Sequence, residues 1–383
     1  LIDVIGDNYK KYLDYLDGKG VIDSSDSYSS SRGQCKKYRL TSRYRGIPAR
    51  EVTCRDEGLI RRLSKKQKQE NRLFYRQQPY IHLRESLQAT TIDTLSAKKY
   101  LYQEMNGLVQ AQVNTFRKSI EKIGEGFSTY NKTGKNGRIN TPITNLPSDL
   151  RDFLILDGSR DLVELDITNS QPFFMALSYK EDLKRKYFSE PPFAPRAREV
   201  QACNHKNNSL ETSFLESPKS PNPNVPHPRK KFITNAKNGV LYERIAKESP
   251  RNLTREEAKD LIWPVLYSHP SSHLDKKKEF GKLYPDVMNW VVRQKKPHYR
   301  DFPIRMQRME SNLIIEDLCK RLQNEGIKVL TIHDSIVVKE EKKQPTERIW
   351  RSAFRENHGI VPEYTVERLT SEIEVEDPIR EPV

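Results

Sequence analysis

The sequence has few cysteines, and none of them forms a recognisable metal-binding or redox motif. The four are Cys35, Cys54, Cys203 and Cys319. Because no C-x-x-C spacing occurs, we expect reduced thiols in an intracellular protein. Cys203 with His205, and His269 with His273, each resemble half of a zinc site, but neither pair has further ligands at the required spacing. Structural zinc is therefore not expected.

Long hydrophobic runs are also missing. The sequence contains no segment of about 18 consecutive apolar residues, and its start shows no signal-peptide pattern. We therefore expect a soluble cytoplasmic protein that makes no membrane contact.

Acidic residues are scarce relative to basic ones. The chain has 52 Asp and Glu against 67 Lys and Arg, which gives a formal net charge of +15. Such an excess favours a polyanionic partner, of which nucleic acid is the commonest, although a merely soluble basic protein is the alternative. Only 35% of residues are hydrophobic, but 13 Phe, 18 Tyr and 3 Trp favour folded domains, and 383 residues allow two or three of them.

Residues 1–60 predict a helix followed by a hairpin. Apolar residues recur at helical spacing over 9–16, and Gly18 or Gly20 would end that helix. Two short apolar segments then flank a Ser-rich stretch at 24–34. A helix followed by a long-looped hairpin is the second half of a winged helix, and a wing can lie along a phosphate backbone. We predict a winged-helix-like nucleic-acid-binding region, with an ordinary surface hairpin as the alternative.

The next part, residues 61–125, predicts a helical thumb-like region. Its start overlaps a basic stretch at 59–72, which is either a solvated helix or one that tracks phosphates. Residues 95–124 look helical, with apolar residues on one side: Leu101, Met105, Leu108 and Val109.

Two later stretches complete the organisation. Residues 186–231 contain eight prolines and predict a long loop or insertion, which we place in a fingers region at about 186–300. Residues 305–324 predict an amphipathic helix that Gly326 ends.

Two aspartates carry most of the chemical information. Asp166 lies in the run 163–167 and Asp334 in the run 329–338, and both runs are short and rich in β-branched residues, which is typical of strands. Carboxylates that bridge two Mg²⁺ ions roughly 3.5–4 Å apart can activate a hydroxyl and neutralise a leaving pyrophosphate. The simpler interpretation is that two aspartates merely end two strands, which is common.

A predicted helix between them presents a cationic face. Thr254 and Glu257 have the spacing of a capping box at its start. Four residues at intervals of four share one face: Arg255, Lys259, Trp263 and Tyr267. Two cations followed by two aromatic rings could bind a nucleoside triphosphate that lies along the helix. The alternative interpretation is a basic amphipathic helix whose aromatic residues are simply buried. Pro264 is expected to kink or end the helix.

A fourth segment is a glycine-containing turn at residues 133–141, which runs on to Asn145-Leu146-Pro147. Glycine lets a backbone approach a phosphate closely, and Arg138 could bind that phosphate. By itself this segment indicates only a turn.

In this order, the four segments resemble the polymerase core shared by family A DNA polymerases and the single-subunit phage and mitochondrial RNA polymerases. Gly137-Arg138 is similar to the family's Gly-Arg segment and Asp166 to the catalytic Asp of motif A. Arg255, Lys259 and Tyr267 match motif B, Arg-x3-Lys-x7-Tyr, and His333-Asp334 matches motif C. The resemblance spans about residues 130–340, and residues 1–120 show none.

The resemblance implies a role for each matching residue. Asp166 and Asp334 would bind both Mg²⁺ ions (or Mn²⁺) with help from the Ile167 carbonyl, and catalysis would depend on these aspartates and Lys259. The nucleotide would be bound by five side chains: Arg255, Lys259, Trp263, Tyr267 and Gln171. Arg138 would contact the nucleic-acid backbone, and His333 the primer end.

Some positions depart from the family pattern. Gln171 stands where family A DNA polymerases carry a Glu that helps to exclude ribonucleotides. Ser268 stands where Gly is usual, and Trp263 where Phe, Tyr or Met is usual. The preference between deoxyribose and ribose therefore stays open.

The resemblance implies an α+β fold: a right-hand polymerase with an antiparallel palm sheet and helical fingers and thumb. Palm and fingers would occupy residues 126–383. The expected activity is that of a template-directed DNA polymerase without proofreading, whose partners are template, primer and nucleoside triphosphates. Three alternatives stay open: an RNA polymerase or primase on the same fold, an inactive nucleic-acid-binding protein, and a winged-helix regulator with an unrelated C-terminal domain.

Overall fold

The computed structural model describes residues 9–25, 36–45, 55–70, 72–126, 130–188, 228–296 and 298–369. Predictions for Cys35, Cys54, Cys203, His205 and most of the Ser-rich and Pro-rich stretches lie outside these ranges. The described part is mainly helical with four small antiparallel sheets, which makes it an α+β fold. Among the described ranges, no helix is both long and apolar enough to cross a membrane.

The described strands are β1 (Ile22–Ser24), β2 (Tyr38–Leu40), β3 (Thr90–Ile92), β4 (Asn131–Lys132), β5 (Ile139–Asn140), β6 (Leu154–Leu156), β7 (Leu162–Ile167), β8 (Leu330–Ile332), β9 (Ser335–Lys339) and β10 (Tyr364–Leu369). The helices of the N-terminal half are α1 (Tyr9–Gly18), α2 (Ser42–Arg45), α3 (Glu57–Glu70), α4 (Leu73–Arg76), α5 (Tyr80–Gln88), α6 (Thr94–Gln103), α7 (Gln110–Gly124), α8 (Ser148–Arg151) and α9 (Ser170–Phe188). The later helices are α10 (Pro228–Lys237), α11 (Leu241–Glu248), α12 (Arg255–Tyr267), α13 (Leu274–Leu283), α14 (Pro285–Lys295), α15 (Asp301–Ser311), α16 (Cys319–Asn324) and α17 (Lys343–His358). Short 3₁₀ turns occur at Ile143–Asn145 and Glu340–Lys342, and a π-helical segment, Asn312–Leu318, joins α15 to α16.

The largest sheet has four antiparallel strands in the order β10-β7-β9-β8. Alternate residues of β7 point to opposite faces, as strand geometry requires. Val163, Leu165 and Ile167 join a large core formed with the surrounding helices. On the other face Leu162 joins a second core, which includes residues of α6 and α7. Asp166 also lies on this second face. It is near the carboxyl end of β7, and the second core does not cover that end.

The structure corrects the prediction that the run 329–338 is one strand. It folds into a hairpin in which Ile332 pairs with Ser335, so His333 and Asp334 form a two-residue turn between β8 and β9. His333 has a left-handed backbone, with φ of 57°, and this conformation reverses the chain. Asp334 is thus borne by a turn and not by a strand.

The prediction of one helix over 95–124 is wrong in one respect, because the structure has two helices there, α6 and α7. The chain leaves helical geometry between α6 and α7, where Gly107 has a φ of 82°. Val109 is 62% exposed at the start of α7, so it does not lie on the buried side with Leu101.

Other sequence predictions match the described elements. The strand at 163–167 is confirmed as β7, the first helix as α1, and the helix over 305–324 as the continuous stretch from α15 through α16. Helices α9 and α10 extend into the ends of the predicted 186–231 loop, which are therefore helical. The small sheet of β1 and β2 follows α1, as the predicted hairpin requires, but the winged-helix interpretation and the domain limits stay predictions.

Candidate functional site

A cavity of about 320 Å³ opens where β7 and the β8–β9 turn end, and one face of α12 forms its wall. Nine of the ten residues selected from sequence line it: Arg138, Asp166, Ile167, Gln171, Arg255, Lys259, Trp263, Tyr267 and Asp334. The tenth, His333, is in the adjacent turn and does not line the cavity. Segments nearly 200 residues apart in sequence are thereby brought to one place.

The two aspartates meet because their strands are neighbours. Asp166 pairs in register with Ser335, the residue that follows Asp334, so the two acids flank the same strand end. Burial, and next the nearby charge of Asp334, raise the pKa of Asp166 to about 7. Within the described residues neither carboxylate forms a salt bridge with a cationic side chain, and no group of three or more His, Cys, Asp or Glu is arranged to hold a metal ion. Two like charges without a counter-ion favour the binding of an external cation.

Beside them, His333 is half-buried, and its Nδ1 atom has no hydrogen-bond partner among the described residues. Burial, and next the positive charge of Arg138, lower its pKa, while Asp334 acts in the opposite direction. A neutral imidazole is therefore favoured near neutral pH.

The capping box predicted for α12 is present. The backbone N–H of Glu257 donates to Thr254 Oγ1 at 3.2 Å, and the backbone N–H of Thr254 donates to Glu257 Oε2 at 2.8 Å. These bonds fix where the helix begins, so its four-residue repeat faces the cavity.

Pro264 neither ends nor breaks α12, which continues to Tyr267. Proline has no N–H to offer the carbonyl of Asp260, one turn earlier. The ammonium group of Lys276, on α13, donates to that carbonyl at 3.3 Å. The carbonyl that the proline leaves without its helical partner is thus bonded to a donor from the neighbouring helix.

The two cations of α12 are held by weak, exposed ion pairs. Arg255 Nε lies 2.7 Å from Glu243 Oε1, and Lys259 Nζ lies 4.0 Å from Glu256 Oε2. Their side chains are 50% and 41% exposed, so both cations can exchange these partners for an anion at little cost. The guanidinium of Arg255 also lies over the ring of Tyr242, 5.5 Å from its centroid.

Further along the helix the two aromatic rings stack on each other. The ring centroids of Trp263 and Tyr267 are 4.7 Å apart with an interplanar angle of 27°. Trp263 is 46% exposed, whereas Tyr267 is partly buried and donates its hydroxyl to Gln171 Oε1 at 3.2 Å. The pair offers a rigid aromatic platform at the end of the cationic row.

Sequence analysis missed several residues of this site, among them the cavity-lining residues Asn169 and Ser170. Tyr242 lines the cavity from α11, and Glu310 lies fully buried behind it on α15. Glu310 could have been noticed, because it falls between Met306 and Leu313 on the apolar side of its helix, where an acid is unusual. Burial, and next the charge of Asp334, raise the pKa of Glu310 to about 7.

Comparison with known proteins adds little to this description. No protein-family model and no curated protein match the chain. Among solved structures, the POL domain of Pol1 from M. smegmatis, in complex with DNA primer-template and dNTP, is similar over 68% of this chain and 50% of that chain, with 13% identity and a TM-score of 0.35. The chain thus spans about half the length of that domain. A similarity at this TM-score carries no functional conclusion. The chemistry of the cavity is therefore argued from the residues that line it.

Proposed function

We propose that this chain is a template-directed nucleotidyltransferase, a family A-like DNA polymerase that uses two divalent metal ions. In this proposal the four-stranded sheet is the palm, the helices from α10 to α14 belong to the fingers, and residues 61–125 form a thumb-like region. One observation carries the proposal: Asp166 and Asp334 face the same cavity as Arg255 and Lys259. A cation site opposite an anion site is what the transfer of a nucleotide requires.

The acidic end of the cavity fits divalent metal ions. Two carboxylates, which form no ion pair with a cationic side chain in the described part of the chain, and the main chain at Ile167 would provide the oxygen donors that Mg²⁺ prefers. When bound there, Mg²⁺ or Mn²⁺ would lower the pKa of an attacking 3′-hydroxyl and neutralise charge on the departing pyrophosphate. The raised pKa of Asp166 means that this carboxyl must release its proton before it can serve as a ligand.

The remaining lining residues would bind and orient the nucleotide. Arg255 and Lys259 would exchange Glu243 and Glu256 for the oxygens of a triphosphate, which accepts charge-assisted hydrogen bonds and carries more negative charge than one carboxylate. The stacked rings of Trp263 and Tyr267 would hold the sugar and base at the other end. Catalysis would then come chiefly from position and charge neutralisation.

Nucleic acid would approach past Arg138, whose side chain is 20% exposed at the cavity wall. The net charge of +15 supports a polyanionic partner. His333 would lie beside the primer end, in the turn that also carries Asp334.

Primer extension tests the proposal. The purified chain is incubated with Mg²⁺ and a template, with or without an annealed primer, and with either dNTPs or NTPs. Extension of the primer by dNTPs is the expected result. Products formed from NTPs without a primer would instead indicate the RNA polymerase or primase alternative, and the neutral Gln171 beside Tyr267 is the feature that keeps it open. Binding of nucleic acid without any product would favour the inactive alternative.

A further inference from the structure

Glu310 is a fully buried acid to which sequence analysis gave no role. Its side chain is 0% exposed, and its carboxylate accepts hydrogen bonds from two other segments of the chain. Arg138 approaches from the strand β5 side, and Ser170 and Gln171 from the start of α9. A carboxyl group that is removed from water requires such partners, so the four side chains form a structural unit.

The two carboxylate oxygens of Glu310 accept hydrogen bonds from different sides of the cavity. Oε1 accepts from Arg138, from Nε at 2.8 Å and from Nη2 at 2.6 Å. Oε2 accepts from Ser170 Oγ at 3.1 Å and from Gln171 Nε2 at 2.5 Å. Both carboxylate oxygens are thus engaged, and Glu310 does not line the cavity, so it differs in kind from the two aspartates.

Gln171 extends this unit to the cationic helix. While its amide nitrogen donates to Glu310, its amide oxygen accepts the hydroxyl of Tyr267 at 3.2 Å. Since both ends of the amide are engaged, its orientation is fixed by its two neighbours. A continuous chain of hydrogen bonds therefore runs from Arg138 through Glu310 and Gln171 to Tyr267.

We infer that Glu310 is a positioning residue that joins the nucleic-acid side of the cavity, Arg138, to the nucleotide side, Gln171 and Tyr267. The inference rests on the proposed function. Its consequence is that the binding of the nucleic-acid strand and the binding of the nucleotide are energetically coupled through one buried carboxylate. A merely structural ion pair would stabilise the fold and leave the two binding events independent.

The main test uses Glu310→Gln, which keeps the shape and removes the charge. Both KM values, for nucleotide and for primer–template, should rise about fivefold to tenfold, as loss of a charge-assisted hydrogen bond entails. Asp157→Asn is the control, because Asp157 also pairs with two cations, Lys328 at 2.5 Å and Lys339 at 3.0 Å, and lies outside both the cavity and the thumb-like region. Circular dichroism verifies that each variant is folded.

Tyr267→Phe gives a second test that disturbs no buried charge. It removes the Tyr267 hydroxyl, which donates to Gln171 Oε1 and also contacts the side chain of Gln307. If the connection to Glu310 matters, this change should raise the KM for primer–template as well as the KM for nucleotide. In the Glu310→Gln background the same change should have no further effect on the KM for primer–template, because the connection is already broken. Additive effects of the two changes would overturn the inference.

Fluorescence separates this inference from the proposed function. Trp263 is 46% exposed, whereas Trp290 and Trp350 are 3% and 0% exposed, so acrylamide quenching reports mainly on Trp263 and the Tyr267 ring stacked on it. Glu310→Gln should increase the quenching and Asp157→Asn should not. If the wild-type chain extends no primer under any condition, the proposed function fails, and the quenching still decides whether Glu310 holds Tyr267. Identical quenching in wild type and Glu310→Gln would overturn the positioning role.

Discussion

Lys276 supplies a hydrogen bond to the carbonyl oxygen of Asp260, which Pro264 leaves without its helical partner. The contact lies where α12 continues through a proline with its cations and its aromatic rings on one face. A donor from the neighbouring helix thus contributes to the face that binds the nucleotide in our proposal.

We predict that Lys276→Met lowers the free energy of unfolding by about 0.5–1 kcal/mol, the usual net value of one hydrogen bond. In a Pro264→Ala background the same change should cost close to nothing, because the residue at 264 then provides its own N–H to Asp260. Urea denaturation of the four proteins measures both costs. Equal costs in the two backgrounds would show that the contact with Asp260 does not matter.

Much of this site could be predicted from local sequence. The capping box and the four-residue repeat define α12 and its face, since both depend only on helix geometry. The β-branched run at 163–167 correctly predicts β7. These features are encoded within about ten residues, and tertiary packing did not override them.

The rest depends on contacts between distant segments. The run 329–338 is apolar at both ends and is interrupted by His333, Asp334 and Ser335. This polar break is a local signal for a turn that was overlooked, but it does not show that His333 adopts the left-handed region. Glu310 pairs with Arg138, 172 residues away, and the carbonyl that Pro264 leaves without its helical partner is bonded to Lys276, on the next helix. A single sequence contains no direct signal for such pairs.

Metal binding should strengthen as pH rises through neutrality. Asp166, with its pKa raised to about 7, is largely protonated at pH 6 and must lose the proton to bind a cation. We therefore expect the apparent Kd for Mn²⁺ to fall about tenfold between pH 6 and pH 8, as one displaced proton requires. Titration calorimetry at several pH values measures it. Glu310→Gln should keep this dependence, whereas a Kd that does not vary with pH would contradict the assignment to Asp166.

The same carboxyl should make the metal-free fold less stable at high pH. A carboxyl whose pKa is raised in the folded state contributes stability below its ordinary pKa near 4 and loses that contribution as pH rises through about 7. Asp166→Asn removes this cost, so in EDTA it should raise the free energy of unfolding at pH 8 by about 1–3 kcal/mol relative to wild type. The gain should shrink towards pH 5. Denaturant unfolding at the two pH values decides the matter, and a variant less stable than wild type at pH 8 would refute the prediction.

Lys259→Ala should weaken the use of nucleotide specifically. We expect the KM for nucleotide to rise about tenfold or more, since a charge-assisted contact to the triphosphate is lost, while the KM for primer–template changes little. Lys278→Ala is a suitable control, because Lys278 is an exposed cation on α13 that does not line the cavity. An unchanged KM for nucleotide in Lys259→Ala would count against the role of this face.

The central claim is that Asp166 and Asp334 act together in nucleotidyl transfer. Single-turnover incorporation of one nucleotide into a labelled primer, measured for wild type, Asp166→Asn and Asp334→Asn at saturating Mg²⁺, tests it most directly. Each substitution should lower the rate at least about a thousandfold, because either loss removes a bridging ligand, while circular dichroism shows an intact fold. A rate within a few-fold of wild type in either variant would contradict the claim.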